Sequence, residues 1–439
     1  MTAHRYDETV STGTFDPLTV ISAAVRTGLF TDYVMYERAG CWYLAGRPVW
    51  EVIVSHGVVR AGRDAKEIAL RWSGTPWQAV HKALNLAPAR DWRAFGWAAF
   101  ELAIAEATHS DTLAHLMIPG LELQVTTDRI VIRSAVAGVA VALEAALAKA
   151  VTPSLSVGQQ AVSWTAADPH YLDAVAQAVR RIQNGELRKV ILSRAVEVPF
   201  EVDMVASYLK GRAANTPARS FLLDLGGWQA AGFSPETVVE VDPTGTVSSQ
   251  PLAGTRRRTG DADIDEALRE ELHADPKEVF EHATSVKLAV EELTTVGRAG
   301  STHISEFLAI KERGSVQHLA SRVVTELAEP HSSWDALGAV FPAITASGIP
   351  KSAAYEVISE LEREPRGLYA GAVLMATENG MLDAALVLRA VYRRGGRTWL
   401  RAGAGVVAAS TPEREHEETS EKLASVAPHL VPAMAPVPV

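Results

Sequence analysis

Residues 220–254 read "SFLLDLGGWQAAGFSPETVVEVDPTGTVSSQPLAG". Short apolar runs are broken at Gly226-Gly227 and at Pro243-Thr244-Gly245, residues that make tight turns. A tight turn joins only antiparallel neighbours, because a parallel pair needs a crossover of a dozen or more residues. The stretch therefore predicts successive antiparallel strands. Strand-like runs recur at 188–200, "RKVILSRAVEVPF", at 380–392, "GMLDAALVLRAVY", and at 397–407, "RTWLRAGAGVV".

Helices intervene. In "PHYLDAVAQAVRRIQNGEL" Leu172, Val175, Val179 and Ile182 share one face and Gly185 follows as a stop. A long helix covers "DPKEVFEHATSVKLAVEELTTV" from Asp275. Nearer the N-terminus, "CWYLAGRPVWEVIVS" reads as a hairpin turning near Gly46-Arg47-Pro48, "GWAAFELAIAEATH" as a helix and "LELQVTTDRIVIRSA" as two strands. The polar, turn-rich 150–164 is the best internal boundary, and "VPAMAPVPV" reads as a frayed tail. Strands outnumber helices and pair as hairpins, so the expected fold is α+β, antiparallel sheets with helices packed outside.

Charge and cysteine narrow the function. A formal net charge of −10 argues against a general binder of nucleic acid or anionic membrane. An anionic small substrate would need positive charge local to its pocket. Cys41 is the single cysteine, so no intramolecular disulfide or thiolate cluster can form. No signal-peptide pattern and no membrane-length apolar run is present, and a cytoplasmic protein is expected.

Two acidic helices stand out. In the helix from Asp275, Glu278 and Glu281 lie i,i+3 beside an apolar stripe, with Ser285 and Glu292 extending their row. Near the C-terminus, "TPEREHEETSEK" packs five glutamates into nine positions, with Glu415, Glu418 and Lys422 on one helical face. Charge runs usually face water. Two facing pairs of carboxylates would instead suit a hard divalent cation such as Mg²⁺. The glycines of "PLAGTRRRTG" (Gly254, before Thr255) and "RAGAGVV" (Gly403, Gly405) would let a ligand approach the backbone closely, the first in a tight turn.

"KVILSR" (189–194), "GFSPE" (232–236), "PLAGTR" (251–256), "DPKEVFEH" (275–282), "GSVQHL" (314–319), "TASGIPK" (345–351), "PRGLYAGAV" (365–373), "LDAALVLRA" (382–390), "RAGAGVV" (401–407) and "EREHEETSEKL" (413–423) occur in this order. Together they resemble the chorismate-utilising enzymes, most closely the salicylate synthases of siderophore pathways. The resemblance is strong over 165–430 and fainter before it. It implies one large α+β domain of two stacked antiparallel sheets, with 1–160 a subdomain of the same fold, 165–430 the catalytic core and 431–439 a disordered tail.

The resemblance also implies roles. Mg²⁺ would sit between the acidic helices, on Glu281 and Glu418 directly and on Glu278 and Glu415 directly or through water. Lys189 would be the base that activates water for attack at C2 of chorismate, and Glu236 the acid that protonates the departing C4 hydroxyl. Tyr369, Arg389 and the amides around Gly403 and Gly405 would hold the enolpyruvyl carboxylate. Gly254 and Thr255 would line the ring pocket, Lys422 would approach the ring carboxylate, and His318 would have either a direct or a structural role. No obligatory protein partner is expected.

Among family members, the stretch "VKLAVEEL" (286–293) departs from the anthranilate synthase pattern, although "AGTRRRTG" resembles it, and Ala253 stands where aminodeoxychorismate synthases carry lysine. The expected reaction is chorismate to isochorismate and then to salicylate plus pyruvate. The alternatives are an isochorismate synthase that stops at the first product, an anthranilate synthase component I and a non-catalytic homologue.

Overall fold

The computed structural model describes residues 6–63, 66–104, 112–149, 162–314 and 316–433. All its strand pairings are antiparallel, and they define two layers. One layer runs Asp7–Thr12, Arg129–Ser134, the far half of Ala114–Val125, the near half of Cys41–Ser55, Tyr33–Arg38, Arg219–Leu225, Trp228–Ser234, Ala390–Arg394, Arg397–Val406 and Lys189–Glu197. The other runs Lys66–Arg71, Val58–Arg63, the remaining halves of those two long strands, Arg93–Ala98, Ala372–Thr377, Leu382–Leu386, Thr237–Val241, Thr246–Ser249 and Val316–Glu326. Leu252–Arg257 and His303–Arg313 flank Val316–Glu326.

The layers share the two long strands, so the expected hairpin at 41–55 is one fifteen-residue strand. Its register shifts between Pro48 and Trp50, and Arg47 has φ of 53°. Pro48 faces Pro119. Neither has an N–H to give the ladder, so the strand bends there instead of reversing. The bend carries both strands from one layer to the other.

The helix expected at 96–109 is a strand, Arg93–Ala98, followed by a 3₁₀ turn, Phe100–Ile104; 105–111 lie outside the described residues. Gly96 shows why: a Cβ there would lie 2.1 Å from the His115 carbonyl oxygen of the paired strand. A buried alanine-rich run has no period that separates the two structures. The helices at Pro169–Gln183, Pro276–Thr294 and Pro412–Leu423 form as expected, each with Pro in its first turn.

Alternation along the strands builds two cores. Val34, Tyr36, Phe221 and Leu223 face a large cluster between the layers, where Trp97 of one layer meets Trp228 of the other edge-on at 6.4 Å. Met35, Leu222, Leu400 and Ala402 face a second cluster, joined by Ile21, Tyr208 and Leu423 from outer helices. Within the expected tail, Val431 and Ala433 are held by backbone bonds to Asp203 and Glu201 and Pro432 bridges Val202, so the chain is docked through 433; 434–439 lie outside the described residues.

Two connections matter for the site. The chain crosses between layers at Ser234-Pro235-Glu236 and again at Val387-Leu388-Arg389. The crossings are stitched together: Leu386 N–H donates to the Glu236 carbonyl at 3.2 Å and Phe233 N–H to the Arg389 carbonyl at 3.1 Å. Arg389 has φ of 50°, a costly backbone for a non-glycine residue that the crossing imposes.

Candidate active site

Both crossings open onto one cavity of about 100 Å³. Lys189, Gly403 and Gly405 reach it from one layer, Gly254, Thr255 and His318 from the other, and Tyr369 from the loop before Ala372–Thr377. Glu281 projects from one acidic helix, and Glu418 and Lys422 from the other. Of the fourteen residues singled out from sequence, only Glu278 and Glu415 do not line it. Glu278 lines an adjoining opening with Thr255 and Glu418.

Glu236 is buried, its Oε1 accepting the Thr345 hydroxyl and its Oε2 the Leu252 N–H at 3.2 Å. Burial pushes its carboxyl up to about 7, against the pull of these bonds and of Lys189 and Lys422. A carboxyl at that value still carries its proton in a large fraction of molecules at neutral pH, which suits a general acid. Lys189 is also buried, with its Nζ 2.7 Å from Glu281 Oε1.

Arg389 is a buried cation whose hydrogen bonds go to neutral acceptors, His318 Nε2 at 2.7 Å and the Arg313 carbonyl at 3.3 Å. Burial, with Arg313 nearby, brings its guanidinium down to about 10. Such a charge is a receptor for a carboxylate, which it can bind through two parallel bonds. A guanidinium only donates, so His318 Nε2 accepts and its proton sits on Nδ1, 3.0 Å from Thr255 Oγ1. Burial and Arg389 hold this imidazole well below its usual range. His318 is thus a neutral histidine that lines the cavity and fixes Arg389 and Thr255.

The glycines are needed for space. A Cβ on Gly403 would lie 2.7 Å from the Tyr369 hydroxyl, and one on Gly405 would lie 2.9 Å from Glu281 Oε1. Gly254 does not sit in a turn. It is a bulge within Leu252–Arg257, with φ of 77°, and a Cβ there would lie 3.1 Å from Glu278 Oε2. Lys422 Nζ donates to the Gly403 carbonyl at 2.9 Å and pairs with Glu418 at 2.8 Å.

The carboxylates are unevenly compensated. Glu281 and Glu418 each have a lysine, whereas Glu278 has Arg256 at 3.5 Å and Glu415 has Lys277 at 3.8 Å. Both Glu415 oxygens are buried without a hydrogen-bond partner. Burial and Glu418 push the Glu415 carboxyl up, and burial with Glu281 does the same to Glu278. Among the described residues no three His, Cys, Asp or Glu side chains form a ready metal-ion site. The donor set nevertheless fits a hard divalent cation: it is all oxygen, rich in carboxylate, and contains a buried carboxylate, Glu415, whose ion-pair partner Lys277 is as far as 3.8 Å.

Sequence reasoning gave no role to Thr345, which bonds the acid, or to Arg401, which lines the cavity beside Tyr369 and is held by Ser193 and Glu362. Both lie inside the quoted motifs "TASGIPK" and "RAGAGVV", and that was the available signal.

The layered fold and this cavity, with a buried acid, a buried amine and an uncompensated guanidinium, define an enzyme for a small anionic substrate. Residues 33–428 match the chorismate binding enzyme family, and the chain belongs to it. The salicylate synthase of Mycolicibacterium paratuberculosis is 41% identical over 406 residues, 91% of this chain and 90% of that protein. Among solved structures, the menaquinone-specific isochorismate synthase of Escherichia coli superposes with a TM-score of 0.73 at 20% identity, covering 98% of this chain and 95% of that one. Anthranilate synthase component I of Streptococcus pneumoniae gives 0.72 at 25%, covering 89% and 92%. Both have the same fold.

Proposed function

We propose that the protein is a salicylate synthase that converts chorismate to isochorismate and then to salicylate and pyruvate. The observation that carries this reading is the near-full-length likeness to a salicylate synthase, 41% over 91% of the chain. The cavity supports it with chemistry of the right type. Hydroxide is a poor leaving group, so Glu236, pushed up to about 7, protonates the C4 hydroxyl as its bond breaks. Lys189 takes the proton of the water that attacks C2. Arg389 and Tyr369 hold the enolpyruvyl carboxylate, the backbone at Gly403 and Gly405 leaves it room, and Lys422 meets the ring carboxylate. The second step is a pericyclic hydrogen transfer that needs no further acid or base, only a pose that keeps the side chain over the ring.

Glu281 and Glu418, with Glu278 and Glu415, would hold Mg²⁺, which when bound neutralises carboxylate charge and orients the ring carboxylate. The same reading makes the protein cytoplasmic, independent of an obligatory partner and a supplier of salicylate to a siderophore pathway. Its single cysteine agrees with a reducing compartment. No helix among the described residues is long and apolar enough to cross a membrane.

Product identification from chorismate and Mg²⁺ tests the reading. Salicylate with equimolar pyruvate is expected, with some isochorismate early. Isochorismate alone would make the protein an isochorismate synthase, and diversion to anthranilate by ammonium would change the nucleophile. Lys189→Ala should fail on chorismate and still turn supplied isochorismate into salicylate.

A further inference from the structure

Glu236 has a second side. It and Thr345 line the substrate cavity, and both also line a separate cavity of about 10 Å³ behind it. That is the space a single water needs. Its wall carries Ser249, Gln250 and Glu292 of the first acidic helix. The Glu292 side chain is 19% exposed, so the residue touches both the cavity and solvent. Its partner is Lys351, the last residue of "TASGIPK", whose ammonium lies 2.5 Å from Glu292 Oε1 and donates to the Val340 carbonyl at 3.0 Å.

We propose that Glu292, through one water and the Thr345 hydroxyl, returns a proton to Glu236 after each turnover. The inference rests on the reading of Glu236 as the acid. Glu236 gives up its proton with the leaving hydroxyl. While intermediate or product fills the front cavity, the back cavity is its route to solvent. The transfer balances without a co-reactant. The Glu292 O–H breaks as the water gains a proton. The water passes a proton to Thr345 Oγ1 as Thr345 passes its own to Glu236 Oε1. Glu292 then recovers a proton from bulk solvent, and Lys189 releases to solvent the proton it took from the attacking water, so no net proton is consumed.

The hydrogen bond already runs in the required direction, from the Thr345 hydroxyl to Glu236. Burial pushes the Glu292 carboxyl up and the Lys351 ammonium down, each against the attraction of the other, so the pair holds its charges less firmly than an exposed one. Glu292 is faced by Lys351 and Tyr355 from Lys351–Leu361, and by Glu291 beside it. Glu236 is faced by Lys189, Lys422 and Arg389.

Single-turnover and steady-state chorismate consumption separate this role from a structural one. With enzyme in excess, Glu292→Gln should consume chorismate at the wild-type rate, because Glu236 starts as protonated as it is in the wild type. With substrate in excess it should slow by about a hundredfold or more, the range of general-acid effects, and formate buffer should restore the rate. Glu292→Gln combined with Lys351→Met leaves no unpaired charge to unfold the chain and should behave alike. Equal slowing of first and later turnovers would make the pair structural, and unchanged rates in both would remove it from the reaction. Glu236→Gln is the control: if it keeps its first turnover, the acid assignment has failed rather than the relay.

Discussion

Glu236 is a residue whose usefulness and cost have one cause. Burial raises its carboxyl from 4.5 to about 7, so the native state holds a proton that the unfolded chain releases. The stabilisation is fully present below the unfolded value and is lost as pH rises through about 7. If Glu236 is the proposed acid, turnover should fall over the same rise, because an acid must be protonated to act. Glu236→Gln should abolish turnover of chorismate. It should also weaken the pH-dependent loss of stability between pH 4 and pH 8 by up to about 3 kcal/mol, at about 1.4 kcal/mol per pKa unit. Urea unfolding at both pH values reads this, and equal losses in mutant and wild type would contradict it.

Arg389 is the matching cation, and its partners show which substitution is informative. Its fork is set by His318 and the Arg313 carbonyl, neither of which neutralises it. Lysine would keep the charge and lose the bidentate geometry. Arg389→Lys should lower kcat/KM by about tenfold or more, about 1.4 kcal/mol of transition-state binding per factor of ten. Thermal stability should hardly move; a parallel loss of Tm would make the residue structural.

At the scale of elements, the two acidic helices act as a pair. Lys277 of the first reaches towards Glu415 of the second at 3.8 Å, and Glu278 feels Glu418 across the gap. Repulsion among these carboxylates opposes the packing of the helices, and a bound divalent cation would relieve it. Mg²⁺ at about a hundredfold above its dissociation constant should stabilise the fold by about 3 kcal/mol, a Tm rise of about 3 °C for a chain of this length. Glu281→Gln and Glu418→Gln should each lose most of that shift and the activity. Calorimetry with Mg²⁺ and with EDTA separates the outcomes, and an unshifted wild type would remove the metal from the site.

Over the whole molecule, the two layers are held together by contacts between parts of the chain far apart in sequence. Asp383 is the clearest of these. It is fully buried, accepts Tyr36 and, through both carboxylate oxygens at 2.7 Å, Arg219, and forms an ion pair with Arg38 at 2.7 Å. It thereby ties Tyr33–Arg38 and Arg219–Leu225 of one layer to Leu382–Leu386 of the other. Asp383→Asn leaves Arg219 with a weaker partner and should cost about 3 kcal/mol or more in urea unfolding. Loss of less than half of that would mean the network rearranges around Glu240, which already lies 3.1 Å from Arg219.

The sequence by itself determined what short-range geometry decides. Gly226-Gly227 and Pro243-Thr244-Gly245 dictate hairpins, the i,i+3 and i,i+4 spacings put Glu278 with Glu281 and Glu415, Glu418 and Lys422 on common faces, and the ordered motifs mark the family. Where a segment is buried on every side, as at 94–102, or bends at paired prolines, as at Arg47–Pro48, local pattern carries no such signal and the expected helix and turn were wrong. The tertiary structure alone decided which charges meet. That Lys189 lies against Glu281, that His318 takes its tautomer from Arg389, and that the Glu236 carboxyl is pushed up beside Thr345 all depend on burial and on partners 71 to 109 residues apart. Charge states in a low-dielectric interior are set by such neighbours, and sequence spacing does not contain them.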